Sequence, residues 1–464
     1  MVLDRVLVTL TALTLVVAAC TAGPGATDPP TDAPATSGPT PTAAQPSPPS
    51  GEPVAVCELA YYTGDFAPFG QSLSEDVIFP IEEVINLDPP LGRTWDLFHE
   101  DIGTVGEAQG ARTCLEQHGA EIIVSIAHGY RTYRDFMMDY WEENDSPLGP
   151  SVHGGAIPGN LGGNAAEPIF RAQGLDEALG VTGVLYAETI GVESVVIFAT
   201  QVEGFQAAAN AAERTAEAIG IDVLARIDAQ TEQPSYRAEA QRIADLAPDA
   251  VIMQSAAIES ATLITAAVEA GVSLHWIGES GLAQTEFIET LGTEPIASQE
   301  SIGIAAFSYN DDTPAWEFFS EAWRNAPHSA PEDEDPTGLY HFSTYDLLVQ
   351  TALAVEHGGS YNASDWAPAM HEVGEEPGEV CYTYADCLAL IRQGMDIDYE
   401  GVTGPGTYTD GGVNQVVQAY TPFNEDGTMG EPVPLDPERG LELIDQIAVQ
   451  AECDPEEPPN SCTW

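Results

Sequence analysis

From Val54 onward the chain alternates short apolar runs with amphipathic stretches, and this alternation constrains the fold more than any other feature. "VAVCELA" (54–60), "EIIVSIA" (121–127), "SVVIFAT" (194–200), "IDVLARI", "DAVIMQ" and "LHWIG" read as strands. "SLSEDVIFPIEEVI" places Leu73, Val77, Ile81, Val84 and Ile85 on one helical face, with a kink expected at Pro80. "TYRDFMMDYWEEN", "DEALGVTGVLYAETIG", "GFQAAANAAERTAEAIG", "YRAEAQRIADLA" and "ESATLITAAVEAG" read as further helices. Gly119, Gly191, Gly220 and Gly271 fall where helices should end, in place for a left-handed cap. Strand–helix–strand repetition at this spacing builds parallel sheets covered by helices on both faces. One sheet would need too many strands, so the expected fold is α/β with two doubly wound lobes. Ligands of such sheets bind beyond the carboxyl ends of the strands.

Ahead of Val54 the composition changes. Residues 1–19 carry one basic residue, Arg5, and an apolar stretch too short to span a membrane. They read as a secretory signal. Its end, "VAAC", resembles the lipobox of bacterial lipoproteins, which puts cleavage before Cys20 and a diacylglycerol anchor on its thiol. Residues 20–53 are rich in Pro, Thr and Gly and have no large apolar side chains, so they read as an extended tether. A globular body is therefore expected outside the cell, held to the membrane by lipid.

Asp and Glu number 74 against 13 Lys and Arg, for a net charge of -61, and every basic residue is arginine. A surface this acidic repels nucleic acid and anionic lipid. It suits high salt, where screening removes the self-repulsion. Six cysteines remain after Cys20. Outside the cell an even number favours disulfides, and six allow 15 connectivities. The simplest local pairing joins Cys381 with Cys387 in "CYTYADC" and Cys453 with Cys462 in the acidic tail 451–464, leaving Cys57 with Cys114.

Residues that follow the strands are the candidates for a site. "YYTGDFAPFGQS" offers Tyr61 and Tyr62 as walls of an apolar pocket, or as caps of the core. "SIAHGY" offers Ser125, Ala127 and His128. "HGGAIP" offers Gly154, Gly155 and Ala156, small residues that leave backbone N–H groups open to an anion such as a carboxylate, or that simply turn the chain. Asp176 stands at an expected helix N-cap. "HGG" and "GESG" together raise a hydrolase, but a nucleophile elbow needs G-x-S-x-G and Leu282 stands at the second glycine. The histidines show no metal-ligand spacing and the chain has no phosphate or dinucleotide fingerprint, so no cofactor and no metal are expected.

Four stretches, "ELAYYTGDFAPFGQS", "TEQPSYRAEAQRIADLAPDAVIM", "YHFSTYDLLVQTALAVEHGG" and "DYEGVTGPGTYTDGG", resemble the solute-binding lipoproteins of branched-chain amino-acid ABC importers. The resemblance covers about Val54 to Gly427. It implies a type I periplasmic-binding-protein fold, with two lobes joined by three crossings and closing on a ligand. Lobe one would be 54–175 plus 303–395, and lobe two 176–302 plus 396–450. It also implies that Ser125, Ala127 and His128, with Gly154, Gly155 and Ala156, hold a ligand carboxylate, and that an acid holds its ammonium. Asp176 matches a family aspartate near the ligand. The family's second acid falls at Ser280, with Glu279 one residue earlier, and its aromatic falls near Ala256–Ala257. These departures leave an amide, urea or a larger amino acid open beside the standard amino acids. The expected function is capture of a small amphiphilic ligand and its delivery to ABC permease subunits, without a reaction of its own. A ligand sensor of the same fold is the alternative.

Overall fold

The computed structural model describes residues 50–63, 76–125, 129–144, 150–152, 158–327, 335–414 and 418–447. The signal, nearly all of the tether, the acidic tail, Cys20, Cys453 and Cys462 lie outside them. Strands β1 (Val54–Ala60) and β2 (Trp95–Asp101), helix α1 (Glu107–Thr113), β3 (Ile122–Ser125), α2 (Arg134–Asn144) and β4 (Pro150–Val152) form the first sheet and part of its cover, in the order β2-β1-β3-β4 and parallel throughout. Because β1 is central, both of its faces are buried. Val54, Val56 and Ala60 face one core, and Cys57 and Leu59 the other. That is why the strand reads as a nearly unbroken apolar run. Cys57 is bonded to Cys114 just after α1. Val77, Ile81, Val84 and Ile85 are buried as expected. At Pro80 the helix widens into a π-turn, because proline has no N–H to continue the ladder.

The second sheet is built from α3 (Asp176–Thr189), β5 (Ser194–Thr200), α4 (Glu203–Ile219), β6 (Asp222–Ala229), α5 (Arg237–Leu246), β7 (Ala250–Gln254), α6 (Ala257–Glu269), β8 (His275–Gly278) and β9 (Ser301–Phe307). The chain then returns to the first lobe through α7 (Pro314–Asn325), α8 (Leu339–Gly358), α9 (Ala363–Glu372), β10 (Glu379–Cys381), α10 (Tyr384–Arg392), β11 (Ile397–Gly401) and β12 (Gly404–Pro405). Cys381 and Cys387 are bonded, joining β10 to α10. Finally β13 (Gln418–Pro422), β14 (Val433–Pro434) and α11 (Pro437–Ile447) rejoin the second lobe. Its strand order is β14-β13-β9-β8-β7-β5-β6, with β13 and β14 antiparallel to their neighbours. α4 ends at Gly220, whose φ of 84° is the left-handed cap expected of it.

The chain passes between the sheets three times. Two of the expected boundaries move. β9 is paired with β8 through Gly278↔Ile304, so the second lobe runs past 302 to Phe307. Ile397, Tyr399, Val402 and Tyr408 pack in the first lobe's core, so the last crossing follows Tyr408 and not residue 395. A strand must finish pairing before the chain can leave its sheet, and sequence pattern does not show where pairing ends. The crossings are tied together. Arg171 is fully buried, and its guanidinium donates to the carbonyl oxygens of Gly411 (2.7 Å) and Leu161 (3.0 Å). The Asn310 N–H donates to Val402 O at 2.9 Å. Asp346 on α8 accepts from Tyr399 Oη (2.8 Å), Val402 N (3.1 Å) and both the N–H and hydroxyl of Thr403 (2.7 Å each). "GVTG" is thus a clasp around one buried carboxylate. Gly401 must be glycine there, since a Cβ would stand 2.5 Å from an Asp346 oxygen.

Candidate functional site

In sheets of this kind ligands bind beyond the carboxyl ends of the strands. On the second lobe, β8 delivers Glu279 into the first turn after the strand. Glu279 is only 4% exposed. The Ser280 hydroxyl donates to Oε2 at 2.7 Å and the Gly281 N–H to Oε1 at 2.9 Å. Burial pushes Glu279 up to about 7, against the pull of those two bonds, and the charge of Asp176 pushes it further. Ser280 thus donates to a neighbouring carboxylate, and Leu282 stands where a nucleophile elbow needs its second glycine.

Asp176 opens α3. The expectation that it caps the helix is not met. Leu175 takes the N-cap position with extended backbone, so Asp176 is the first residue inside the helix. The Asp176 carboxylate instead lies against Gly204 at the start of α4, where a Cβ would stand 2.6 Å from Oδ2. From the first lobe, α8 brings Tyr340 to the same place. Burial holds its phenol above the ordinary value, and the charges of Glu279, Asp176 and Asp76 add to that. Two carboxyl groups of one lobe and a tyrosine of the other thus share one electrostatic neighbourhood. Sequence reading missed Tyr340. The available signal was its place in the first turn of a helix that follows the breaker "DPTG".

On the first lobe, Tyr61 and Tyr62 follow β1. Tyr61 is half-buried, and burial raises its phenol to about 12, with Glu107 adding. Tyr62 and Thr63 donate their N–H groups to Asp101 Oδ1 at 3.1 and 3.2 Å, so β2 fixes the turn out of β1. Ser125 ends β3 and is fully buried, beside the Tyr133 hydroxyl. It can shape the site from behind the surface. Ala127, His128, Gly154, Gly155 and Ala156 lie outside the described residues.

The family profile described as "Periplasmic binding protein" matches residues 53–421. The chain belongs to the periplasmic binding protein family. Its architecture is the type I fold of that family. A search of the curated proteins returns no match. Among solved structures, this binding protein is similar to the leucine-binding protein LivK of Thermotoga maritima, with TM-score 0.64, 16% identity, and 83% of this chain and 99% of that one covered. LivJ of Streptococcus pneumoniae, in complex with isoleucine, gives 0.62 and 15%, covering 82% and 99%. A solute-binding protein of R. palustris in complex with benzoate gives 0.59 and 14%, covering 82% and 96%. The family consists of extracytoplasmic binding proteins for small molecules that work with ABC permeases and are not enzymes. Among the described residues of this binding protein no helix is long and apolar enough to cross a membrane.

Proposed function

We propose that this protein captures a small ligand bearing an ammonium or amide group, such as an amino acid, and hands it to an ABC permease while a lipid on Cys20 holds it to the membrane. One observation carries the reading: Glu279 and Asp176 of one lobe share their surroundings with Tyr340 of the other. A cationic group entering there relieves the repulsion between the two carboxyl groups and gains a partner in each lobe, which favours the closed form. Tyr61 and Tyr62 wall the opposite side. Ser125 supports a carboxylate-binding loop formed by Ala127 and His128, with Gly154, Gly155 and Ala156 as its second part. The protein works in high salt, as its charge of -61 suggests.

The test is a thermal-shift screen in molar salt with leucine, glutamine, arginine, urea and benzoate. A ligand at 100 times its Kd adds about 2.7 kcal/mol of stability. Amine or amide ligands should raise the Tm and benzoate should not. Stabilisation by benzoate alone would overturn the reading. For a ligand found this way, Asp176→Asn should cut affinity at least tenfold, since losing one partner of a desolvated charge pair costs about 2–5 kcal/mol. The ligand-free Tm should hardly move, because Leu175 and not Asp176 holds the N-cap position of α3. Equal affinities, measured by calorimetric titration, would leave the charge to Glu279 alone.

A further inference from the structure

Glu58 stands in the middle of β1, on the face shared with Val54, Val56 and Ala60, and has no exposed surface. A carboxylate there is unexpected. Replacing a buried ion pair by apolar side chains is often neutral or stabilising, so stability alone does not account for it. The parallel register sets Glu58 opposite His99 of β2, on the same side of the sheet. His99 Nδ1 bonds Glu58 Oε2. The Tyr62 hydroxyl donates to the same oxygen at 3.0 Å and lies 2.8 Å from His99 Nδ1. The two rings meet edge-to-face, 5.9 Å apart. Among the described residues Glu58 Oε1 has no hydrogen-bond partner, so the buried carboxylate relies on the two donors at Oε2.

We propose that Glu58 and His99 are positioning residues that fix the Tyr62 ring where β1 opens into the cleft, and that a proton on His99 sets how firmly it is held. With the proton on Nδ1, the imidazole and the phenol both donate to Oε2, and the three groups form one closed set. Once His99 is neutral, its remaining proton stays on Nδ1 toward the anionic oxygen, but the bond loses its charge assistance and the Tyr62 hydroxyl is held less firmly. The charged groups facing His99 are Glu58 from β1 and Glu82 from the turn Pro80–Val84. Both favour the cation, and the bond to Glu58 is the larger cause of its raised pKa, against burial. The closed set is therefore firmest at low pH and loosens as the pH rises through a value above the histidine norm of 6.5. That Tyr62 touches ligand rests on the function proposed above; its positioning does not.

The experiment is NMR of the full chain, labelled with 13C in histidine and tyrosine rings, titrated from about pH 5 to 9. Tyr62→Phe identifies the Tyr62 signal. The Tyr62 ring should move with the same midpoint as His99. Glu58→Gln should lower that midpoint for both rings, and His99→Gln should leave Tyr62 flat. A Tyr62 signal that stays still while His99 titrates, or that titrates unchanged in His99→Gln, overturns the proposal. Calorimetry with L-leucine separates it from the cleft reading. If Tyr62 follows His99 but Glu58→Gln binds L-leucine as tightly as the parent, the positioning stands and the ligand contact falls.

Discussion

At the scale of single residues, Glu279 concentrates the consequences. Its carboxyl is pushed up to about 7 in the folded protein against 4.5 ordinarily. Between those values the folded chain keeps a proton that the unfolded chain has released. Stability from this group is then full below pH 4.5 and is lost as pH rises through about 7. The loss is about 3 kcal/mol, since a displacement from 4.5 to about 7 carries about 1.4 kcal/mol per pH unit. Denaturant unfolding in molar salt should show Glu279→Gln losing less stability between acid and neutral pH than the parent does. Parallel pH profiles would mean that the carboxyl is better solvated than its burial implies. Glu279 was legible in the sequence because it directly follows a strand. Tyr340 was not, because a helix pattern does not tell which end reaches the other lobe. Asp176 was legible as a residue and misread as a cap, since the choice between Leu175 and Asp176 for the cap depends on one backbone turn.

At the scale of elements, the clasp of α8 on the segment after β11 is the clearest case of a motif whose reason lies elsewhere in the chain. "GVTG" stands out in the sequence, but its partner Asp346 lies 57 residues before Thr403, and nothing in local spacing connects them. Asp346→Asn would replace one of the two acceptor oxygens by an NH2 and leave the N–H of either Val402 or Thr403 facing a donor, unpaired. The loss should be about 3 kcal/mol, within the range for breaking a buried, fully bonded charge, and the Tm should fall by several degrees. A variant as stable as the parent would show that water replaces the carboxylate. The strands themselves were readable because parallel strands buried on both faces are apolar throughout. The crossings were displaced by five to thirteen residues or so because they depend on pairing partners distant in sequence.

At the scale of the whole molecule, charge governs. Two of the 13 basic side chains, Arg134 and Arg171, are buried, the first against Glu167 at 2.7 Å and the second among carbonyl groups. The surface is left with even less positive charge than composition states. Screening acts over about 10 Å at 0.1 M salt and about 3 Å at 1 M. The Tm should therefore rise steeply from decimolar to molar potassium chloride. A Tm that does not move over that range would mean that carboxylate repulsion is not what limits this fold, and would remove the case for a high-salt setting.

The second sheet is completed by β13, which pairs with β9, and by β14, which pairs with β13, only after the chain has made its excursion through the first lobe. During synthesis β9 emerges more than a hundred residues before its neighbour Gln418–Pro422. For that interval the strand has an open flank, with five backbone positions waiting for a partner not yet made. The nascent second lobe is thus a template for any extended segment nearby, and a ribosome stalled before Gln418 would carry a chain more prone to aggregate than to fold.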